Sequence, residues 1–132
     1  MQRGAVLYRD IWDNKPPLLY LIYAIIPTLL WAKVTATICV LGTVVFVQKI
    51  SKNYLAALVA GILLSIPLLE GTIANAELYF TLPIVIAAFL FLKNKVNGLV
   101  IGFLFTIAFL LKVPAVFDFL GLFLAYFITE KK

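Results

Sequence analysis

Long runs without a charged residue dominate the sequence and limit most narrowly what it can fold into. The runs cover 16–32, 34–48, 53–69, 78–92 and 96–111, and a last run begins at 113 and is interrupted by Asp118. Each complete run has about 15–17 residues, slightly fewer than the roughly 20 that cross a hydrocarbon layer. We expect helices, because backbone groups in lipid must be satisfied within the segment and the chain lacks the alternation of a barrel. The predicted fold class is all-α, a polytopic transmembrane helical bundle of five to six membrane-embedded helices.

The composition excludes most soluble classes of protein. Hydrophobic residues make up 64% of the 132 positions and charged residues 13%, against roughly 45–50% and 25% in soluble domains. A small water-soluble fold cannot hide so many apolar side chains. A soluble enzyme, a nucleic-acid-binding protein and a disordered tail are therefore poor interpretations, despite the net charge of +5. The sequence predicts one multi-pass domain of the cell (plasma or inner) membrane over 1–132, with 1–15 as an outer-loop segment, 16–132 as membrane helices and membrane lipid as a partner.

The charged joints between the runs alternate in sign. Two joints are basic and one is acidic: Lys49 with Lys52, Lys93 with Lys95, and Glu70 with Glu77. Basic loops of membrane proteins are enriched on the cytoplasmic side, so we expect the acidic joint, and 112–118 with it, on the outer side. The run 16–32 leaves two arrangements open. A full crossing places the N-terminal segment in the cytoplasm, whereas an interfacial or re-entrant helix, which Pro27 and the terminal aromatic residues favour, places it outside.

The cysteine, histidine and glycine content adds little to the prediction of a functional site. The chain has no His and a single Cys, Cys39, inside an apolar run, so neither a disulfide framework nor a Cys/His metal cluster is predicted. Gly98 and Gly102 form a GxxxG spacing, which permits close contact between helices.

The densest polar cluster covers 8–17 and reads YRDIWDNKPP. Its two prolines suit the first turn of a helix, where the missing N–H groups would have no partner in any case. Lys15 then lies beside a helix N-terminus at headgroup depth, where a cation and free backbone donors can bind a lipid-linked phosphate. Asp10 and Asp13 can bind a divalent cation, orient an acceptor hydroxyl, or pair with Arg9 and Lys15. The competing interpretation is an ordinary charged segment next to the membrane.

Two ionisable residues, Lys112 and Asp118, interrupt the last apolar part of the chain. Such groups are costly at membrane depth and usually face protein or water. They are six positions apart and do not share a face of an unbroken helix, and Pro114 between them can break it. Either the two residues line a cavity near the outer face, or a short outer loop exposes both to solvent.

Three segments resemble the bacterial C-type glycosyltransferases, polytopic enzymes related to protein O-mannosyltransferases and aminoarabinose transferases. Segment 4–25, GAVLYRDIWDNKPPLLYLIYAI, is similar to their first outer loop and following helix, with its G-x-x-x-Y-R-D-x-x-D-x-K-P-P pattern. Segments 65–83, SIPLLEGTIANAELYFTLP, and 109–122, FLLKVPAVFDFLGL, resemble the same family. The resemblance implies transfer of a sugar, hexosyl or pentosyl, from a polyprenyl-phosphate-linked donor to an extracytoplasmic acceptor.

The resemblance also implies roles for individual residues. The donor-phosphate-binding residues would be Lys15 and Arg9, the catalytic carboxylates Asp10 and Asp13, and the cavity-lining residues Glu77, Lys112 and Asp118. The residues specify no metal site, and a divalent cation is left open as a cofactor.

One departure from the family pattern affects the expected activity. The family's catalytic acid lies in an Asp-Glu motif upstream of the segment that begins here at Gly4, and this sequence does not contain that motif. We therefore expect an internal fragment that does not catalyse transfer alone and whose partner is the remainder of a split enzyme. The alternative is a small non-enzymatic polytopic membrane protein, a transporter half or an assembly subunit, in which Lys15, Glu77, Lys112 and Asp118 line a polar path.

Overall fold

The described residues of the chain form six α-helices. The structure is a computed structural model that describes residues 9, 16–26, 28–66, 74–93 and 98–130. The helices are α1 (Pro17–Ile25), α2 (Leu29–Ser51), α3 (Tyr54–Ser65), α4 (Ala76–Leu92), α5 (Gly98–Leu111) and α6 (Ala115–Glu130). The described residues contain no strand, and the predicted all-α class is confirmed.

The run 16–32, predicted as one helix, is divided between α1 and α2. Proline lacks an N–H group and holds the preceding residue in extended backbone. Ile26, which precedes Pro27 in the sequence, has φ −77° and ψ 119° and ends α1. Thr28 then begins α2, where its hydroxyl accepts a hydrogen bond from the Trp31 N–H at 3.5 Å. The prediction of a single helix was wrong, because α1 ends at Ile25, two positions before the proline.

Helix α2 is long and apolar enough to cross a membrane, and it alone meets that standard among the described helices. Its 23 residues extend about 34 Å, against a hydrocarbon layer of about 30 Å. The protein buries only Ala32, Ala36 and Thr43 of this helix. A helix that is apolar on all sides needs a core or a lipid around it, and here the protein covers a small part. The other helices are shorter, so the number of membrane-embedded helices stays a prediction.

Helix α4 lies at the centre, between α2 and α5, while α3 packs on α2 and α6 packs on α5. Seven of the buried residues are alanines: Ala32, Ala36, Ala57, Ala76, Ala87, Ala108 and Ala115. Small side chains let helix backbones approach closely, as they do in membrane bundles. The tightest glycine contact is at Gly42 on α2, where an added Cβ would lie 2.9 Å from the Leu82 side chain on α4.

The GxxxG pair does not serve this packing. A Cβ added to Gly98 or Gly102 would meet nothing within 4 Å. Close contact at these glycines is therefore not found within the described part of the chain, because α5 turns this face away from its neighbours.

Large apolar side chains cover the outside of the bundle. Tyr54 and Leu55 at the start of α3 are 80% and 65% exposed, and Phe117 and Leu124 on α6 are 74% and 60% exposed. Soluble monomers rarely expose large contiguous apolar surfaces. Small residues inside and large apolar residues outside are the distribution that favours burial in lipid.

The polar contacts define two ends of the bundle. The start of α4 meets the start of α2 through a Tyr79–Ala32 hydrogen bond, so these helices run parallel, and α5 returns so that Lys112 pairs with Glu77. We call this end, marked by Ala32, Glu77, Tyr79 and Lys112, the Glu77 end. The opposite end, marked by Lys49, Lys52 and Lys93, is the lysine end. Glu77 thus lies at the end opposite to Lys49, Lys52 and Lys93, as the alternation of the joints predicts.

Candidate functional site

The candidate site is an ion pair between Glu77 and Lys112 at the Glu77 end. Glu77 lies in the first turn of α4, and Lys112 directly follows the last residue of α5. A carboxylate is stabilised near a helix N-terminus and a cation near a helix C-terminus, so each charge lies where its own helix favours it. The Glu77 side chain is 41% exposed and that of Lys112 31% exposed. The pair is therefore open to a ligand from outside the bundle.

Local hydrogen bonds fix the two backbones that carry this pair. The Asn75 side-chain oxygen caps α4 by accepting a hydrogen bond from the Glu77 N–H at 3.0 Å. The Lys112 N–H donates to the Ala108 carbonyl at 2.9 Å, and the Ala115 N–H donates to the Lys112 carbonyl at 3.1 Å. Lys112 thus lies in a tight turn between α5 and α6, and the predicted helix break before Asp118 is confirmed.

Two tyrosines tie three helices together beside the ion pair. The Tyr79 hydroxyl donates to the Ala32 carbonyl at 2.8 Å and shares a 2.9 Å hydrogen bond with the Thr35 hydroxyl. The Tyr23 hydroxyl of α1 donates to the Ala74 carbonyl just before α4. The two rings meet edge to face, with centroids 6.1 Å apart.

This tyrosine network was not predicted from the sequence. The available signal is that a tyrosine in an apolar helix must find a partner for its hydroxyl. That rule indicates that Tyr79 has a partner, but it does not indicate which one.

Helix α1 lies at the same end. Leu19 of α1 is buried in one cluster with Ala36, Ala76 and Leu111, the residue that precedes Lys112. At 9 residues, α1 is about 13 Å long and too short to cross a bilayer. Helix α1, which follows the polar segment in the sequence, therefore packs at the Glu77 end.

The residues of that polar segment fall mostly outside the described part of the chain. This holds for Asp10, Asp13 and Lys15, three of the residues that the resemblance implies. Arg9 is described and exposed. Pro16 caps α1 in extended backbone, and Pro17 is its first residue, as the double proline predicts.

Asp118 is not a member of this ion pair. It is exposed in the first turn of α6. The structure thus brings together Glu77 and Lys112 among the predicted cavity-lining residues and does not pair Asp118 with either of them. Among the described residues, no three His, Cys, Asp or Glu side chains come close enough together to hold a metal ion.

An apolar groove runs between α4, α5 and α6. It has a volume of about 200 Å³ and is lined by Phe91, Ile101, Phe105, Phe119, Leu122 and Phe123. The rings of Phe105 and Phe119 meet edge to face at 4.9 Å between centroids, which joins α5 to α6 beside the groove. Such a groove can take a hydrocarbon chain.

Comparison of the sequence with protein-family models, with curated proteins and with solved structures finds no match.

Proposed function

We propose that the Glu77 end binds the phosphate of a polyprenyl-phosphate-linked sugar and that this chain supplies part of a membrane glycosyltransferase. The observation that carries the proposal is the pairing of Glu77 with Lys112 at the end where α1 joins the bundle. Lys15 immediately precedes Pro16, the cap of α1, in the sequence, and we propose that it acts together with Lys112.

The proposed location follows from charge and hydrophobicity. The lysine end faces the cytoplasm, since basic loops are enriched there, and the Glu77 end faces outward. Helices α2 to α6 lie in the bilayer of the cell membrane, with α1 along its outer surface. The apolar exterior of the bundle and the length of α2, about 34 Å, support this arrangement.

The proposed chemistry assigns separate tasks to the two kinds of charge. The acceptor hydroxyl oxygen forms a bond to the anomeric carbon, and the bond from that carbon to the phosphate oxygen breaks. The electron pair leaves with the phosphate, whose growing negative charge Lys15 and Lys112 stabilise. The hydroxyl proton passes to a carboxylate base, for which Asp10 and Asp13 are the candidates from the resemblance. The isoprenoid tail of the donor lies along apolar surface such as the groove beside Phe105.

Donor binding by the full chain in lipid nanodiscs tests the proposal. We expect undecaprenyl-phosphate-linked mannose to bind at least about tenfold more tightly than undecaprenol, because a charge-assisted contact is lost with the phosphate. Lys15→Gln and Lys112→Gln should each weaken binding about tenfold, whereas Lys33→Gln, an exposed lysine near the start of α2, should not.

Glu77→Gln separates a donor site from a purely structural ion pair. It frees the Lys112 ammonium, so donor affinity should rise while the bundle keeps its helical content. If Glu77→Gln and Lys112→Gln change stability but leave donor affinity unchanged, the pair is structural. That result would favour the non-enzymatic membrane protein.

A further inference from the structure

Two ammonium groups from different helices converge on one aromatic ring at the lysine end. The Lys49 Nζ of α2 lies 5.0 Å from the Phe46 ring centroid and 6.0 Å from that of Phe89. The Lys93 Nζ, at the end of α4, lies 4.5 Å from the Phe89 centroid. Phe46 and Phe89 themselves meet edge to face at 5.3 Å. The crossing of α2 and α4 therefore holds both cations within 6.0 Å of one ring centroid.

Both cations keep hydrogen-bonding capacity for another ligand. An ammonium has three donors, and a ring occupies one side of it. Among the described side chains, neither Lys49 nor Lys93 has a carboxylate partner, and the described Glu77–Lys112 pair is at the other end. The two ammonium groups bring two positive charges to the same ring, and an anion that contacts them offsets this concentration of like charge.

The surroundings of the cations indicate an amphipathic anion. Leu92, beside Lys93, is 63% exposed, and Val45, one turn before Lys49, is 49% exposed. A free phosphate gains nothing from such apolar surface, whereas the acyl chains of a lipid can cover it. Lys52, exposed at the end of α2, adds a third positive charge to the same end.

We propose that Lys49 and Lys93, held around Phe89, bind the headgroup phosphate of an anionic phospholipid at the lysine end. The site is separate from the proposed donor site, which lies at the opposite end of the bundle. It rests on embedding in a bilayer but not on glycosyl transfer. Anionic lipids are abundant in cytoplasmic leaflets, where the lysine end would lie.

The test uses the full chain in nanodiscs made of phosphatidylcholine alone or of equal parts phosphatidylcholine and phosphatidylglycerol. Native mass spectrometry after release counts the retained lipids. We expect retention of phosphatidylglycerol over phosphatidylcholine, a preference that falls about fivefold in Lys49→Gln or Lys93→Gln and about 25-fold in the double variant. Lys33→Gln, at the other end of α2, should keep the preference within about twofold of the original chain.

Two further arms make the result decisive. Phe89→Leu keeps both charges but removes the ring that the two ammonium groups share, so the preference should fall, and an unchanged preference would overturn the proposed geometry. Inorganic phosphate that displaces phosphatidylglycerol at equal concentration would show an anion site without lipid selectivity and would also overturn the proposal. If Lys33→Gln loses the preference for phosphatidylglycerol equally, the preference depends on net charge alone, and this result would overturn the proposed site. Carbonate extraction of each variant from membranes separates failed insertion from failed lipid binding.

Discussion

At the scale of single residues, most side-chain hydrogen bonds of the described residues stay within one helix or its cap, and those of Tyr23 and Tyr79 join different helices. Tyr79 is 5% exposed, and its hydroxyl reaches the Ala32 carbonyl and Thr35 on α2. A hydroxyl in apolar surroundings is costly unless it is hydrogen-bonded. Tyr79 is therefore a structural link between α2 and α4 beside the candidate site.

Removing that hydroxyl should weaken the bundle. We expect Tyr79→Phe to lower the free energy of unfolding by about 1–2 kcal/mol, because the Tyr79 bonds to α2 are lost. Unfolding in mixed micelles with increasing sodium dodecyl sulfate measures it. Tyr54→Phe, at a tyrosine that is 80% exposed, is the matched control and should change the free energy by less than about 0.5 kcal/mol. Equal effects of the two variants would contradict the assigned role of Tyr79.

Some candidate functional residues could be predicted from the sequence, because an ionisable side chain in lipid has a high free-energy cost. Lys112 was selected because ionisable groups at membrane depth are costly, whereas Glu77 was selected as a cavity-lining residue that the family resemblance implies. Their pairing with each other was not predicted, because it depends on how α4 and α5 pack rather than on either residue. The assigned roles of Asp10, Asp13 and Lys15 stay predictions, since these residues lie outside the described part of the chain.

At the scale of helices, the predictions that succeeded and those that failed concern helix ends at prolines and helix contacts at glycines. Pro114 was expected to break a helix, and α5 ends at Leu111 and α6 begins at Ala115 around it. Pro27 was expected within one helix, but α1 ends at Ile25 and α2 begins at Leu29. The Gly98–Gly102 spacing was a candidate contact, yet the close contact is at Gly42. Spacing alone does not show which face of a helix a neighbour covers.

The two kinds of glycine predict opposite results of one substitution. Gly42→Leu should force α2 away from α4 at Leu82 and lower the free energy of unfolding by about 1–3 kcal/mol. Gly102→Leu meets open space and should leave stability unchanged or raise it by up to about 1 kcal/mol, because leucine favours helix more than glycine does. The same micelle titration compares them. A larger loss in Gly102→Leu would indicate that α5 uses its glycine face in close contact after all.

At the scale of the whole molecule, the sign of the charged residues distinguishes the Glu77 end from the lysine end. No single helix shows this difference by itself. The alternation of joints correctly predicts that Lys49 and Lys93 share one end and Glu77 lies at the other. The position of α4 between α2 and α5 was not predictable, because the composition of an apolar run does not show which helices pack against it. The all-α class follows from the runs, whereas their number of membrane crossings remains a prediction.

Accessibility of single cysteines tests the proposed orientation of the whole chain. In a Cys39→Ala background, we expect Val113→Cys and Thr28→Cys at the Glu77 end to react with an impermeant maleimide added to intact cells. Ser51→Cys, at the lysine end of α2, should react only after the membrane is opened. All three positions are exposed. Labelling of Ser51→Cys and Val113→Cys from the same side would overturn the proposed topology.

The unequal lengths of the helices have a consequence for the surrounding bilayer. Helices α3 and α5, with 12 and 14 residues, extend about 18 Å and 21 Å, well short of the roughly 34 Å of α2. In the proposed arrangement, in which the short helices also lie in the bilayer, the lipid beside them must thin, while α2 must tilt to keep its apolar length covered. Such hydrophobic mismatch has an energetic cost that increases with bilayer thickness. The bundle should therefore partition into the thinner regions of a membrane and be expelled from thicker ones.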